Sequence, residues 1–246
     1  MADISISKIK EFRGKLNSFL RFSVFNPTYI PYRCLKRRFL KDRAYFKGVL
    51  IDVGCGNKPY YKYIKPMVDK YFGVEVFTTY ADINRNVDVL SEHFVMPFKD
   101  DCCDTILMSQ VLEHTYEPVR LLSTVRRLLK KDGHLVLTVP QTSCVHEMPY
   151  DYFRYTPFSL EKIFNDAGYE VVSIERVNTF GEMLTVIALG YLGRKLQYSK
   201  GIVSYLLKAV FIIPFVVILN VLGLVFGPLL RDDKETLDYR VIARRK

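Results

Sequence analysis

No C-x-x-C pair occurs among the five cysteines, Cys34, Cys55, Cys102, Cys103 and Cys144, and their number is odd. A disulfide framework and a cysteine-zinc cluster are therefore not expected, and a reducing compartment is. The four histidines, His93, His114, His134 and His146, stand at no metal-ligand spacing, so no metal is expected unless distant ligands converge in space. There is no internal repeat, no low-complexity tract, and no continuous apolar run near the N-terminus of the kind a secretory signal needs. Acidic residues are scarce at that end. Residues 1–48 hold 12 Lys and Arg against 3 Asp and Glu, a net +9 that accounts for nearly all of the +10 of the chain.

What is present is most telling at VLIDVGCGNKPYY, Val49 to Tyr61. A β-branched apolar run ends in Asp52 and breaks into Gly54-Cys55-Gly56, the pattern of a buried strand turning sharply into a helix, where backbone approaches a ligand closely. The third glycine of the dinucleotide fingerprint is missing, replaced by Pro59, and the carboxylate at the strand's end would repel a pyrophosphate while suiting an ammonium or sulfonium group. After an expected helix over Tyr60 to Asp69, the segment YFGVEV reads as a second strand closing on Glu75, about 20 residues beyond the glycines, where an acid takes ribose hydroxyls.

The segment VDVLSEHFVMPFKDDCCDTILMSQVLEHTYEP adds an acid in a loop at Glu92, the turn Met96-Pro97-Phe98, Cys103-Asp104, a strand Thr105 to Ser109, and Leu112-Glu113-His114. In this order the motifs closely resemble the central segment of class I S-adenosylmethionine-dependent methyltransferases of the type 11 group, and the resemblance runs from about Val49 to Val177. Met96 and Cys103 depart mildly from the family's Leu and Phe. The resemblance implies S-adenosyl-L-methionine as cofactor, with Asp52, Gly54 and Gly56 at its methionine end, Glu75 on the ribose, Glu92 and His93 flanking the adenine, and Ser109 and Gln110 near the sulfonium. Structural readings stand beside these: Asp52 as a cap of the next turn, Glu92 as a solvated loop acid, Glu113 and His114 as caps of the following helix, and Asp104 as structural.

With 246 residues and 49% apolar content, the chain can bury a sizeable core. The alternation of strands and helices predicts an α/β fold: a doubly wound, mostly parallel seven-stranded sheet with an antiparallel last strand at its edge, Rossmann-like as the family implies. Strands are expected at Gly48 to Val53, Lys70 to Val76, Asn86 to Leu90, Asp104 to Ser109, His134 to Val139, Glu170 to Val177 and Leu237 to Ala243. Helices are expected at Pro118 to Leu129, stopped by Lys-Lys-Asp-Gly, and at Pro157 to Asp166, entered through Thr156 and left at Gly168.

The segment PQTSCVHEMPYDYFRYTPFSLEKIF follows the fifth strand at the ligand-binding edge of such a sheet and crowds His146, Glu147, Asp151, Tyr152 and Arg154 into nine positions. It resembles a His-Glu-x-Pro-x-Asp-x-x-Arg-Tyr-Thr stretch of methyltransferases from saccharide and envelope-glycan pathways. His146 is the best candidate base for a hydroxyl acceptor, Asp151 a second catalytic candidate, and Tyr152 and Arg154 candidate substrate contacts. The other readings are a loop-capping His146 and a structural Asp151–Arg154 ion pair.

Two additions flank this core. Ile6, Ile9, Phe12, Leu16, Phe19 and Leu20 recur at helical spacing among basic residues, which predicts a basic amphipathic helix within a 1–47 extension. Aromatic residues interleave with basic ones in YRCLKRRFLKDRAYFKG, but nucleic acid is not the expected partner. Between the 48–179 core and a final 235–246 strand lies an apolar segment, 180–234, in which Ala209 to Leu230 runs 22 residues without a charge. A single bilayer crossing takes about 20. Because the final strand must rejoin the sheet, the insert is expected to return, as two crossings or as a shallow hairpin broken near Pro214; Lys208 and Asn220 favour the hairpin. The expectation is a membrane-associated methyltransferase, monotopic or peripheral on the cytoplasmic side, acting on a hydroxyl of a saccharide or lipid-linked saccharide. A quinone or other lipophilic acceptor is the alternative, and a non-catalytic membrane-bound partner protein is a third reading; the sequence does not set the oligomeric state.

Overall fold

The computed structural model describes residues 23–76, 87–92, 94–197 and 212–246. The expected N-terminal amphipathic helix, His93 and the 198–211 part of the apolar insert lie outside these residues. The chain divides into two units, Met1–Leu35 with Asn178–Glu235 and Lys36–Val177 with Thr236–Lys246.

The larger unit is built on a seven-stranded sheet: β1 (Val49–Val53), β2 (Lys70–Val76), β3 (Val89–Ser91), β4 (Cys103–Ser109), β5 (Leu129–Pro140), β6 (Tyr169–Arg176) and β7 (Asp238–Arg245). Their spatial order is β3-β2-β1-β4-β5-β7-β6, with β7 antiparallel to both neighbours and the remaining pairings parallel. The order reverses between β1 and β4, so the crevice beyond their carboxyl ends is where this kind of sheet takes its ligand. The strands at the reversal are continuous apolar runs because they are covered on both faces. Ile51, Ile106, Met108, Leu135 and Leu137 are buried together with Leu121, Leu122 and Val125 of α3 (Pro118–Arg126) and with Leu160 and Phe164 of α4 (Pro157–Asp166). At the start of α4 the Thr156 hydroxyl accepts from the Ser159 N–H while Ser159 reaches back to the Thr156 N–H, with Pro157 in the first turn. Two N–H groups that the helix cannot satisfy internally are thereby bonded.

Four sequence expectations are corrected. The helix expected over Tyr60 to Asp69 is a short α-helical turn, α2 (Tyr61–Ile64), followed by a 3-10 turn over Lys65–Met67, because Pro66 has no N–H to continue the ladder. The Lys-Lys-Asp-Gly stretch is not a helix stop: α3 ends at Arg126, and these residues form a bulge inside β5, where the partners step from Cys103↔Leu129 to Thr105↔His134 and Asp132 takes φ +62. The third strand is shorter and later than expected, Val89–Ser91. The last strand is not an edge: β7 pairs with β5 on one side and β6 on the other, leaving β6 outermost.

The interior position of β7 explains a buried charge network. Arg240, 1% exposed, lies at 2.9 Å from Asp42 and 2.9 Å from Glu175, and donates to Ser173. Arg38, on the C-terminal half of α1 (Tyr29–Lys41), meets the same two acids at 3.0 and 2.8 Å. Two guanidiniums thus share two carboxylates, and the centrality of Asp42 makes it the group whose loss leaves most buried charge uncompensated.

The smaller unit holds α5 (Phe180–Gln197) and α6 (Ile213–Phe226). They approach closely at small residues. A Cβ on Gly181 would lie 2.8 Å from the Gly227 Cα, and one on Gly223 would lie 2.6 Å from the Thr185 hydroxyl. Thr179 donates to the Gly227 carbonyl, and Asn220, fully buried, donates to the carbonyls of Val24 and Asn26. Pro214 sits in the first turn of α6. Among the described residues no helix is long and apolar enough to cross a membrane.

Replacement of Asp42 by Ala is expected to lower unfolding free energy by about 3–5 kcal/mol in urea titrations, the range for stranding a buried ion-pair partner. Breaking the exposed Lys162–Asp166 pair is expected to stay within about 1 kcal/mol. Equal effects from the two would show that the buried network contributes nothing of its own.

Candidate functional site

Asp52 stands next to last in β1, opposite Gly73 of β2 and Leu107 of β4, and is 4% exposed. Burial pushes its carboxyl up to about 7; the hydrogen bond donated by the Tyr71 hydroxyl opposes this rise, and the neighbouring Glu75 charge adds to it. The chain then turns through Gly54 at φ +69 and Gly56 at φ +50. The N–H groups of Gly54 and Cys55 both donate to the Val74 carbonyl, which pins the loop to β2. A Cβ on Gly54 would lie 2.4 Å from Val111, so the loop passes directly under the segment that follows β4. A Cβ on Gly56 would meet nothing within 4 Å.

Glu75 closes the other side of this loop, its Oε2 accepting from the Gly56 N–H at 2.7 Å. Lys58 runs across Gly73, where a Cβ would sit 2.3 Å from the lysine Cε, and pairs with Asp88 at 2.6 Å; Asp88 also accepts from the Gly73 N–H. Sequence reasoning missed Tyr71, Lys58, Gly73 and Asp88. The glycine inside the YFGVEV strand is the one local signal, since a strand glycine often marks close approach of another group.

Beyond β4, Ser109 shares a 3.1 Å hydrogen bond with Thr138. Gln110, at φ +58, directs its amide to Thr138 and, at 3.3 Å, to Asp238 of β7. Burial lifts the Asp238 carboxyl to about 7, partly offset by that amide. Glu92 is exposed on the turn after β3. The structure therefore gathers Asp52, Gly54, Gly56 and Glu75 in one loop, sets Ser109 and Gln110 at the end of the adjacent strand, and leaves Glu92 on the surface.

The loop after β5 is organised by Asp151. Its side chain is 2% exposed and takes both terminal nitrogens of Arg154 at 2.7 Å and the His146 N–H at 2.9 Å. The Arg154 guanidinium, followed by the His146 N–H, holds the carboxyl well below the usual range. So bound, Asp151 is an anion that orients its neighbours, while Arg154 also donates to the carbonyls of Ser143 and Cys144 and ties the loop together. The His146 Nδ1 lies 3.1 Å from the Cys144 carbonyl and 3.3 Å from Asp151. Both are acceptors, so Nδ1 carries the proton and Nε2 the lone pair.

His146 packs edge-on to His114, with ring centroids 4.8 Å apart. His114 is the last residue of a 3-10 turn, Leu112–His114, and its Nδ1 lies 3.0 Å from the Tyr150 carbonyl. Beside it, Glu113 is wholly buried, and neither carboxylate oxygen has a hydrogen-bond partner among the described residues. Burial raises its carboxyl to about 8, with its own backbone N–H and Arg154 offsetting part of the rise. The Glu113 carbonyl receives the N–H groups of Tyr152 and Phe153. Tyr152 is exposed, its ring 6.1 Å from that of Tyr116.

A family model described as a methyltransferase domain matches residues 31–174. An uncharacterised protein of Methanocaldococcus jannaschii is 26% identical over 172 residues, which is 65% of this chain and 72% of that one. Among solved structures, an S-adenosylmethionine-dependent methyltransferase of Archaeoglobus fulgidus superposes with a TM-score of 0.55 at 19% identity over 87% of this chain and 94% of its own. The cyclase SpnF also superposes at 0.55 and 19%, over 86% of this chain and 79% of its own. Likeness at that identity establishes the fold, and a cyclase among the neighbours shows that the fold alone does not set the reaction. The family follows from the match over residues 31–174, more than half of the chain and inclusive of the glycine loop, the β4 end and the His146 loop: this protein belongs to the methyltransferase-domain family.

Proposed function

We propose that this methyltransferase uses S-adenosylmethionine to methylate a hydroxyl of a saccharide or lipid-linked saccharide at a membrane surface. The observation that carries the cofactor is the buried Asp52 carboxyl beside the glycine loop, raised to about 7 by burial, next to a Gly56 whose missing Cβ leaves open space. A bound sulfonium brings an electrophilic methyl group and the positive charge that such a carboxylate prefers. Asp52, Gly54 and Gly56 would hold the methionine end and Glu75 the ribose, with Ser109 and Gln110 at the end of β4 nearest the sulfonium.

The hydroxyl acceptor rests on His146. Its Nε2 lone pair is set by Nδ1 contacts to Cys144 and Asp151, and an imidazole so oriented is suited to take a hydroxyl proton, a contribution of about 10²–10⁴ in rate. Asp151 acts through His146 as a positioning residue. Tyr152 and Arg154 line the acceptor side, and the exposed aromatic pair Tyr116–Tyr152 suits a sugar face or a quinone.

The membrane rests on α6, where Phe215, Ile218, Leu222, Val225 and Phe226 are exposed along one side of a helix without charges. Among the described residues no helix is long and apolar enough to cross, which supports a shallow hairpin in one leaflet.

Three measurements test this reading. Calorimetric titration is expected to show S-adenosylmethionine affinity falling about tenfold from pH 8 to pH 6, because below about 7 the Asp52 carboxyl must shed a proton to meet the sulfonium. In Asp52→Asn the affinity is weaker at pH 8 and the slope is flatter; an unchanged slope would remove Asp52 from the cofactor site. With labelled cofactor and separate glycan, lipid-linked glycan and quinone fractions, label is expected in a glycan fraction, and His146→Ala is expected to lower that turnover about a hundredfold with cofactor affinity kept. Label in the quinone fraction alone would transfer the assignment to a lipophilic acceptor. In vesicle flotation, the intact chain is expected to float, and the triple change Ile218→Ser, Leu222→Ser and Val225→Ser to leave most of it in solution; an intact chain that does not float would end the membrane reading.

A further inference from the structure

We propose that Glu113, His114 and His146 together bind one divalent cation of the first transition row on the acceptor side of the site. One ligand atom from each of the three lies within 4.8 Å of the others. His146 arrives from the loop after β5, far along the chain from the Leu112–His114 turn, so no spacing in the sequence announces the group.

The carboxylate is the first observation. Glu113 is fully buried, both oxygens lack a hydrogen-bond partner among the described residues, and Oε1 points at the His114 Nε2 from 3.8 Å. A buried acid without a proton donor is unfavourable unless something else meets it, and 3.8 Å is too long for a hydrogen bond to do so. It is close to the separation of two ligands on one ion: bonds of about 2.1 Å at a tetrahedral angle put donor atoms about 3.4 Å apart.

The imidazoles are the second observation. His114 gives its Nδ1 to the Tyr150 carbonyl, and His146 gives its Nδ1 to the Cys144 carbonyl and Asp151. Both rings therefore present the Nε2 lone pair. A metal-binding histidine commonly has its other nitrogen held by a carbonyl or carboxylate in this way, which sets the tautomer and raises ligand basicity. Asp151, kept ionised by Arg154, is the outer carboxylate for His146. Glu147, at φ +50, brings Oε2 to 3.9 Å from the His114 Nε2 and supplies a further oxygen at the open side.

Two imidazoles and a carboxylate suit Zn, Fe, Co or Mn, and three protein ligands leave positions for an acceptor hydroxyl oxygen. The cation would occupy the same Nε2 lone pair that accepts a proton in the reading above, so loss of turnover in His146→Ala cannot separate the two uses. Binding is therefore read directly, without cofactor or acceptor, and its failure leaves the methyltransferase reading where it stands.

Chelator-treated protein is titrated with Mn²⁺ by electron paramagnetic resonance and with Co²⁺ by absorption. One equivalent is expected to bind; Glu113→Gln and His114→Ala are each expected to raise Kd at least tenfold, while His134→Gln, on β5 beside Tyr45, leaves it unchanged. Absence of saturable binding, or equal Kd in Glu113→Gln, overturns the site. Should those variants fail to fold, trace Mn²⁺ added to the intact protein is expected to broaden the imidazole proton resonances of His114 and His146 before that of His134, and uniform or absent broadening overturns it as well.

Discussion

The site depends on how closely the glycine loop passes under the segment after β4. Gly54 can take φ +69 and lie against Val111 only because it has no side chain. Val111 opens the segment that carries Glu113 and His114, and the Glu113 carbonyl in turn receives the backbone of Tyr152 and Phe153 from the loop after β5. A single close approach thus connects the loop assigned to the cofactor with the loop assigned to the acceptor. A side chain at position 54 would have to push the second away from the first.

The two sides of this contact differ in how they treat charge. On one side, Asp52 is buried and receives a tyrosine hydroxyl, and burial raises its carboxyl to about 7. On the other, Asp151 is also buried but meets a two-pronged guanidinium and a backbone N–H, and it remains an anion at any ordinary pH. The same residue type therefore responds to incoming charge in one place and orients its neighbours in the other. Glu113 is the third case, a buried carboxyl beside the histidines whose oxygens find no geometric hydrogen-bond partner among the described residues. Perturbed acids of this kind cluster where ligands and reactions are handled. The Arg240 network pairs its guanidiniums with Asp42 and Glu175 away from the glycine loop and is assigned to stability instead.

In the smaller unit, helices α5 and α6 are held together by small residues, the way apolar helices approach when no polar packing is on offer. Asn220, a polar residue in an otherwise apolar helix, is spent on the carbonyls of Val24 and Asn26. The helix thus keeps its polar atoms inside its own unit and its large apolar side chains outside.

The sequence determined the local elements wherever one signal dominated. Apolar runs marked β1 and β4, and Thr156-Pro157 marked the start of α4, because burial on both faces and helix capping act over a few neighbouring residues. The methyltransferase family was legible from the resemblance of the ordered motifs between Val49 and Val177, in agreement with the match over residues 31–174. Elsewhere, pairing overrode local chemistry. Lys-Lys-Asp-Gly reads as a helix stop but bulges out of β5, and the final strand lies between β5 and β6 because the ladder hydrogen bonds on both its sides come from distant segments. The convergence of Glu113 and His114 with His146 was invisible along the chain. Only the parallel pairing of β4 with β5, which puts both carboxyl ends at the same sheet edge, brings their loops together, and a contact made by topology leaves no spacing in the sequence.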